Sequence, residues 1–288
     1  MLSFIDCHLS LKKCSPFNGG KFEGWGTSFC WWPNRIGYLD ELSEQAAKLF
    51  FDPKEGLGLN IIRYNIGGGD DPTHHHITRT DSMVPGYAIN PSHDANGYHW
   101  SYDWNADQNQ RNVLMKVAEC YGKDLIVEGF SNSPPYFMTN SGCSSGSVNA
   151  GENNLRDDAY GAFASYLADV AQHFSKEWGI HFQSMTAMNE PDTEYWHALS
   201  DKQEGCHFDP GESQSVMIIA LREALDERGL NDILISGTDE TGIDCQINSI
   251  NSLSEVARET IARIDTHSYL EGDNEGLRKL AQSYYKNL

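Results

Sequence analysis

Hydrophobic and polar positions along this chain alternate between two periodicities. Short apolar runs predict strands at Phe22–Ser28, Leu59–Asn65, Asp124–Phe130, Phe182–Met188, Ile233–Gly237 and Arg263–His267. Leu125-Ile126-Val127 and Ile233-Leu234-Ile235 are unbroken apolar runs, as expected of strands covered on both faces. Between the runs, helical spacing predicts helices over Leu39–Phe51, Asp107–Tyr121, Arg156–Trp178, Ser213–Arg228, Ser254–Ala262 and Glu275–Tyr285. In the first of these, Leu42, Ala46 and Leu49 share one stripe. Gly122, Gly179 and Gly229 stand just past three helix ends, where glycine accepts the left-handed conformation that stops a helix.

Six β-α units in succession argue for a parallel sheet. A doubly wound sheet and a (β/α)8 barrel both fit that order, and loop lengths separate them. Helix-to-strand turns are short, as at 122–123 and 179–181. Strand-to-helix connections are mostly long: 66–106, 131–155 and 189–212. Long loops at the strand C-termini are what a barrel enzyme needs. Gly24-Trp25-Gly26-Thr27-Ser28-Phe29 breaks the G-x-G-x-x-G fingerprint at its last position, which disfavours a dinucleotide fold. The expected fold class is α/β, an incomplete (β/α)8 TIM barrel with about six β-α units over residues 22–288. Residues 1–21 form an N-terminal segment.

Composition narrows the function. The 288 residues are 39% hydrophobic and 22% charged, which excludes whole-chain disorder. Lys plus Arg number 21 against 41 Asp plus Glu, a net charge of −20, so no nucleic-acid partner is expected. No window approaches the roughly 20 apolar residues of a membrane span, so no membrane partner is expected either. Met1–Ser10 lacks a basic stretch before an apolar run, and the chain reads as cytoplasmic as encoded. The seven cysteines contain no C-x-x-C pair, which fits reduced thiols. No cofactor and no metal is expected.

Polar and aromatic residues gather where each predicted strand finishes. They are Trp25 with Trp31 and Trp32; Arg63 and Asn65; Ser131, Asn132 and Ser133; Asn189 and Glu190; Asp239 and Glu240; His267 and Tyr269. Six such groups would line one barrel mouth. Met188-Asn189-Glu190-Pro191 is the sharpest local signal, because a semi-enclosed carboxyl at a strand end can act as a general acid. The same tetrapeptide is also turn-like. Trp25, Trp31, Trp104 and Trp196 are candidates either for stacking on sugar rings or for core packing.

Three motifs imitate other chemistries. Gly142-Cys143-Ser144-Ser145-Gly146 fits G-x-S-x-G but lacks the strand before it and the helix after it that a serine-hydrolase elbow needs. His74-His75-His76 resembles a metal tract, but consecutive side chains diverge, and solvated loop histidines near the mouth are the expectation. Ile66-Gly67-Gly68-Gly69-Asp70-Asp71 lacks the Lys and Ser/Thr of a P-loop.

Taken in order, several stretches resemble glycoside hydrolase family 30, and within it the endo-β-1,6-galactanase-like branch. They are Gly24-Trp25-Gly26-Thr27-Ser28 with Trp31-Trp32, Asn60-Ile61-Ile62-Arg63-Tyr64-Asn65-Ile66-Gly67-Gly68, Ser131–Met138, Asn189-Glu190-Pro191, Gly237-Thr238-Asp239-Glu240 and Thr266-His267-Ser268-Tyr269. The resemblance covers roughly residues 20 to 270. It implies a retaining glycosidase acting on an oligo- or polysaccharide of β-linked galactose. Glu190 would be the general acid/base, and Asn189 would steady the sugar 2-hydroxyl. Trp25, Arg63, Asn65, Asn132, Trp196, Asp239, Glu240, His267 and Tyr269 would bind substrate. The carboxylate that Arg63 clamps would be the nucleophile, unless Arg63 serves a structural salt bridge.

In the family that nucleophile is a Glu at the end of a seventh strand, and the sequence is expected to stop before one. Residues 1–21 are a candidate piece of the family's side β-domain. Members of the family often act outside the cell. On this reading residues 1–288 alone are expected to be inactive. The alternatives are a non-catalytic carbohydrate-binding remnant and a fragment of the full enzyme.

Overall fold

The computed structural model describes residues 22–122 and 124–288. The expectation for residues 1–21 lies outside them, as do Cys7 and Cys14. Among the described residues the first strand, β1 (Gly26–Ser28), is followed by helices α1 (Trp32–Ile36) and α2 (Asp40–Phe51). Then come β2 (Ile61–Asn65), β3 (Ala88–Asp94), β4 (Gly97–Tyr102), α3 (Gln108–Tyr121) and β5 (Ile126–Phe130). The second half runs α4 (Tyr160–Trp178), β6 (Ser184–Thr186), α5 (Glu212–Glu227), β7 (Leu234–Gly242), α6 (Ile243–Ser252), α7 (Glu255–Thr260), β8 (Ile261–Leu270) and α8 (Asn274–Ser283).

Six strands form one parallel sheet in the order β1-β2-β5-β6-β7-β8. Its six members fall where the sequence placed its six strands, and the curled sheet with helices is the incomplete barrel expected. Register sets the chemistry of its inner face. Ser28 pairs with Arg63, Arg63 with Glu128, and Glu128 with Ser184. Paired residues of parallel strands point to the same side, so one polar layer crosses four strands. Neighbouring positions on β2, Ile62 and Tyr64, are fully buried among the apolar core. Tyr64 meets Phe174 of α4 edge-on at 5.1 Å between ring centres, and Phe174 meets Phe182 at the same separation.

Helix ends follow local chemistry. Asp40 and Glu41 occupy the first turn of α2 and Lys48 the last, which suits the helix dipole. Ser254 caps α7 by accepting from the Ala257 N–H at 3.2 Å, and Asp273 caps α8 by accepting from the Gly276 N–H at 2.8 Å. The α2 stripe differs from the sequence reading. Leu42 and Leu49 are exposed, and Ser43, Ala46, Ala47 and Phe51 face the core. Small residues let the helix lie close to its neighbours, and Phe51 supplies the bulk that Leu49 was expected to give.

Helices α1 and α6 and strands β3 and β4 went unpredicted. Helix α1 and helix α6 are short. The antiparallel pair β3–β4 sits inside the segment read as a loop. Its signal was present as Asn96-Gly97 followed by Tyr98, Trp100 and Tyr102 at alternate positions. The hairpin packs on α4: the Tyr102 hydroxyl donates to Asp169 at 2.5 Å, and Trp104 stacks on His173 at 3.7 Å between ring centres. Trp104 is thereby a packing residue.

The sheet's two outer strands are not bare at their bases. Glu23, just before β1, pairs with Arg263 of β8 at 2.7 Å. Asn287 forms a parallel bridge to Arg263, accepting from the Ile264 N–H at 2.8 Å and donating to the Ala262 carbonyl at 3.3 Å. The sequence reading ended the sheet at its sixth strand, whereas Asn287 already occupies a seventh position beside β8. The α2 assignment is checked by thermal or denaturant unfolding. Phe51→Ala should cost about 3–5 kcal/mol, and Leu49→Ala should stay within about 0.5 kcal/mol.

Candidate active site

The C-terminal ends of the six parallel strands open onto a cleft of about 1450 Å³. Its floor is built on Arg63. The guanidinium lies 3.4 Å from the Phe130 ring centre. Its Nη2 donates to Asn189 Oδ1 at 3.0 Å and pairs with Asp239, while Nε lies 3.7 Å from Glu128. The Arg63 side chain is 19% exposed. A cation so enclosed requires carboxylate partners, because breaking a buried pair typically costs about 3–5 kcal/mol.

Those partners respond to the charge. Burial opposes ionisation of Asp239, but the Arg63 charge and the His267 ring outweigh it and hold the carboxyl below the usual range. Glu128 Oε2 accepts from Ser184 at 2.7 Å and from Ser236 at 2.8 Å. Asp265 faces Glu128, and burial together with that second carboxylate pushes Asp265 well above the ordinary range. The pair therefore favours a proton on Asp265, as expected when two acids share one enclosure.

Glu190 stands at the cleft wall, 8% exposed. Its backbone is left-handed at φ +49°, and Asp239 is likewise at φ +64°. The Glu190 N–H donates to the Asp239 carbonyl at 2.8 Å, so the two unusual turns hold each other. The Tyr195 hydroxyl donates to Glu190 Oε2, and His267 Nδ1 lies 3.5 Å from Oε1. His267 Nε2 lies 3.3 Å from Asp239, linking the two carboxylates through one ring. Trp196 Nε1 donates to the Glu190 carbonyl at 3.0 Å. Behind the indole, a Cβ on Gly205 would meet ring carbons at 2.1 Å, so only glycine fits there.

The structure brings Arg63, Asn132, Asn189, Glu190, Trp196, Asp239, His267 and Tyr269 to the cleft. It places three predicted residues elsewhere. Trp25 is 72% exposed at the start of β1, where its carbonyl accepts from the Asn60 and Ile61 N–H groups and its ring meets Phe22. That is the opposite end of the strand from the cleft. Asn65 is fully buried, with its backbone bonded both ways to the Gln110 amide of α3. Glu240 is also fully buried. It accepts from Ser249 at 2.6 Å, Gln214 at 2.9 Å and the Asp192 N–H at 3.0 Å, which braces the loop carrying Glu190.

Sequence reasoning missed Tyr195, Glu128 and Asp265. Glu128 had a signal, a lone acid inside an apolar strand, and Asp265 resembles it. Cys30 also lines the cleft, but burial pushes its thiol up to about 12, so it supplies no thiolate nucleophile. Of the three histidines expected in solvent, only His75 is exposed, and His74 and His76 turn inward.

A family model described as O-glycosyl hydrolase family 30 matches residues 21–254. The chain belongs to glycoside hydrolase family 30. An endo-β-1,6-galactanase of Hypocrea rufa is 37% identical over 274 residues, 88% of this chain and 54% of the relative. An exo-β-1,6-galactobiohydrolase of Bifidobacterium longum subsp. longum is 26% identical, aligned over 95% of this chain and 24% of that protein. This family 30 chain thus spans about half the length of the first relative and about a quarter of the second. The catalytic domain of a GH30 xylanase C from Talaromyces cellulolyticus superposes with a TM-score of 0.65 at 21% identity, covering 85% of this chain and 52% of that one. It shares the barrel fold.

Buried acids also set a pH dependence. Burial pushes Asp107 and Glu240 up to about 7 and Glu204 up to about 8. The folded state binds these protons more tightly than the unfolded chain. The resulting stability is complete below the unfolded values near 4 and is lost as pH rises through about 7–8. Asp239 contributes oppositely, and its share is lost only in acid. The melting temperature should therefore fall between about pH 5 and 8. Glu204→Gln keeps the acceptor for the Gly69 N–H, which lies 2.8 Å from Glu204 Oε1, and should flatten that slope.

Proposed function

We propose that this chain forms the acid/base side of a retaining glycosidase cleft that acts on β-linked galactan, with the 1,6-linkage favoured and internal bonds cut. The observation that carries the reading is Glu190 itself, an enclosed carboxyl at a strand end with Tyr195 and His267 on its two oxygens. The Hypocrea rufa relative supports the choice of sugar and linkage.

The roles follow from the geometry. Glu190 protonates the departing glycosidic oxygen and then, as its conjugate base, activates water. Tyr195 and His267 fix the carboxyl plane, and His267 passes the influence of Asp239 to it. Asn189, oriented by Arg63, presents its amide to a sugar hydroxyl. Trp196 and Tyr269 supply apolar faces for the pyranose ring.

Retention also requires a nucleophile about 5–5.5 Å from the acid/base. Among the described residues Asp239 is engaged by Arg63 and Glu128 by two serines, Asp265 faces Glu128, and Glu240 faces away. The family resemblance implies a nucleophile on a further strand, and we infer that this strand pairs beside β8, on the edge where Asn287 already pairs.

The test is one titration and one assay on purified residues 1–288. A β-1,6-linked galacto-oligosaccharide should bind, as followed by calorimetry, without release of new reducing ends. Turnover that is lost in Glu190→Gln would overturn the assignment of the nucleophile to another strand. A folded chain that ignores β-1,6-galactosides while binding another β-glycan would overturn the substrate.

A further inference from the structure

A second convergence of reactive side chains lies in loops over the same face of the barrel. Asp70, His74 and His76 come from the loop leaving β2, and Cys143 comes from the loop leaving β5. One donor atom from each lies within 4.8 Å of all the others. Asp70 Oδ1 is 3.2 Å from His74 Nδ1, and Asp70 Oδ2 is 3.3 Å from His76 Nε2. His76 Nε2 is 3.5 Å from Cys143 Sγ, and Sγ is 4.0 Å from Asp70 Oδ2. From these four residues we infer a structural zinc(II) site that clamps the loops walling the sugar cleft.

The spacing is that of a tetrahedron's edges. Zinc bonds of about 2.0–2.1 Å to nitrogen or oxygen and 2.3 Å to sulfur give N–O edges of about 3.3 Å and N–S edges of about 3.6 Å. The Asp70 Oδ2–His76 Nε2 and His76 Nε2–Cys143 Sγ separations fall on those values, and His74 meets the other Asp70 oxygen. The S–O edge, at 4.0 Å, and the remaining edges, which reach up to 4.8 Å, would have to close as the metal binds. Hydrogen bonds link these groups, and Ser145 Oγ lies 3.2 Å from the thiol, but four zinc-type donors drawn from two loops onto one point are what a metal site requires.

The donor set selects the metal. Two imidazoles, a thiolate and a carboxylate suit zinc, whereas calcium and magnesium take oxygen ligands. Four protein ligands fill a tetrahedron, so the site is closed and structural. Two backbone groups already orient the ligands: the Ser144 N–H donates to Asp70 Oδ1 at 3.0 Å, and the Leu199 N–H donates to Cys143 Sγ at 3.4 Å. Such outer partners hold ligands in place.

The consequence reaches the cleft through the backbone. The loop after Cys143 lies flat against the segment carrying Tyr195 and Trp196. The Ser147 N–H donates to the Trp196 carbonyl at 3.0 Å, and the Ala198 N–H donates to the Ser147 carbonyl at 2.8 Å. Gly146 has φ +138°, and a Cβ there would lie 2.1 Å from the Trp196 carbonyl oxygen. Zinc at Cys143 would therefore tie the β2 loop to the wall that holds Tyr195 on Glu190. This inference does not depend on the choice of substrate.

The experiment is a cobalt(II) titration of the metal-free full chain, together with zinc analysis of the protein purified from zinc-supplemented culture. Wild type should retain one zinc per chain after dialysis. It should show tetrahedral cobalt bands with a sulfur-to-cobalt charge-transfer band, and zinc should raise its melting temperature. Cys143→Ala should abolish the charge-transfer band, and His76→Ala should weaken binding by more than the 10–100-fold typical of losing an outer partner. His75→Ala, at the exposed neighbour, should change nothing. Wild type that retains no zinc, or cobalt spectra without a thiolate band, would overturn the site. Both are read on wild type, so an unfolded variant cannot obscure them.

Discussion

Enclosing one guanidinium is the constraint around which the cleft is organised. Arg63 points from β2 into the polar layer, where water is scarce and its charge must be met by protein groups. Asp239, Glu128, Asn189 and the face of Phe130 meet it. Asp239 can approach only because β7 continues past Gly237 with the aspartate in a left-handed turn. That turn exposes the carbonyl which accepts the Glu190 N–H, and Glu190 is itself left-handed. Each such conformation costs on the order of 1–3 kcal/mol and persists only where the surroundings over-determine it. The orientation of the proposed acid/base thus depends on a cation that need not touch substrate.

The fold was largely legible because its elements obey simple periodicities. Leu125-Ile126-Val127 reads as a strand covered on both faces, and the glycines after α3, α4 and α5 marked real ends, with Gly122, Gly179 and Gly229 all at positive φ. The errors arose where tertiary contacts decide the answer. Leu42 and Leu49 carry the stronger hydrophobic signal in α2, yet Ala46, Ala47 and Phe51 face the core. The β3–β4 hairpin carries aromatic residues at alternate positions, but its segment was dominated by polar and glycine residues and read as loop. Strand β7 extends beyond Gly237 because Thr238–Gly242 pair irregularly with β8, and local propensity does not encode that pairing.

The cleft divides in the same way. Asn189, Glu190, Asp239 and His267 were legible because each stands at the end of a strand. Trp25 and Glu240 were misplaced for opposite reasons. Trp25 lies at the wrong end of β1, and a one-residue-per-strand view ignores which end of a strand is the mouth. Glu240 follows Asp239 directly, but Asp239 is left-handed and the β7–β8 register shifts there, which turns the next side chain away from the mouth. Its carboxylate accordingly reaches Gln214 and Ser249 behind the sheet. Tyr195 gave no signal, because its hydrogen bond to Glu190 exists only after the loop has folded back.

Open parallel edges are ordinarily a hazard, and two contacts at the barrel floor bear on how this sheet avoids it. Glu23 and Arg263 come from opposite ends of the sheet yet meet at 2.7 Å, so the curl that brings them together is already present in six strands. Asn287 then covers the base of β8 through two backbone hydrogen bonds and enters in parallel orientation. Twist in each successive strand supplies the curl, and the ion pair joins the two ends it brings together. The same curl that lets Glu23 reach Arg263 at the floor also turns the β8 mouth, with His267 and Tyr269, toward Glu190. Floor and cleft are therefore coupled through β8. A strand entering from Asn287 would extend the cleft wall on the side of β8 away from β7.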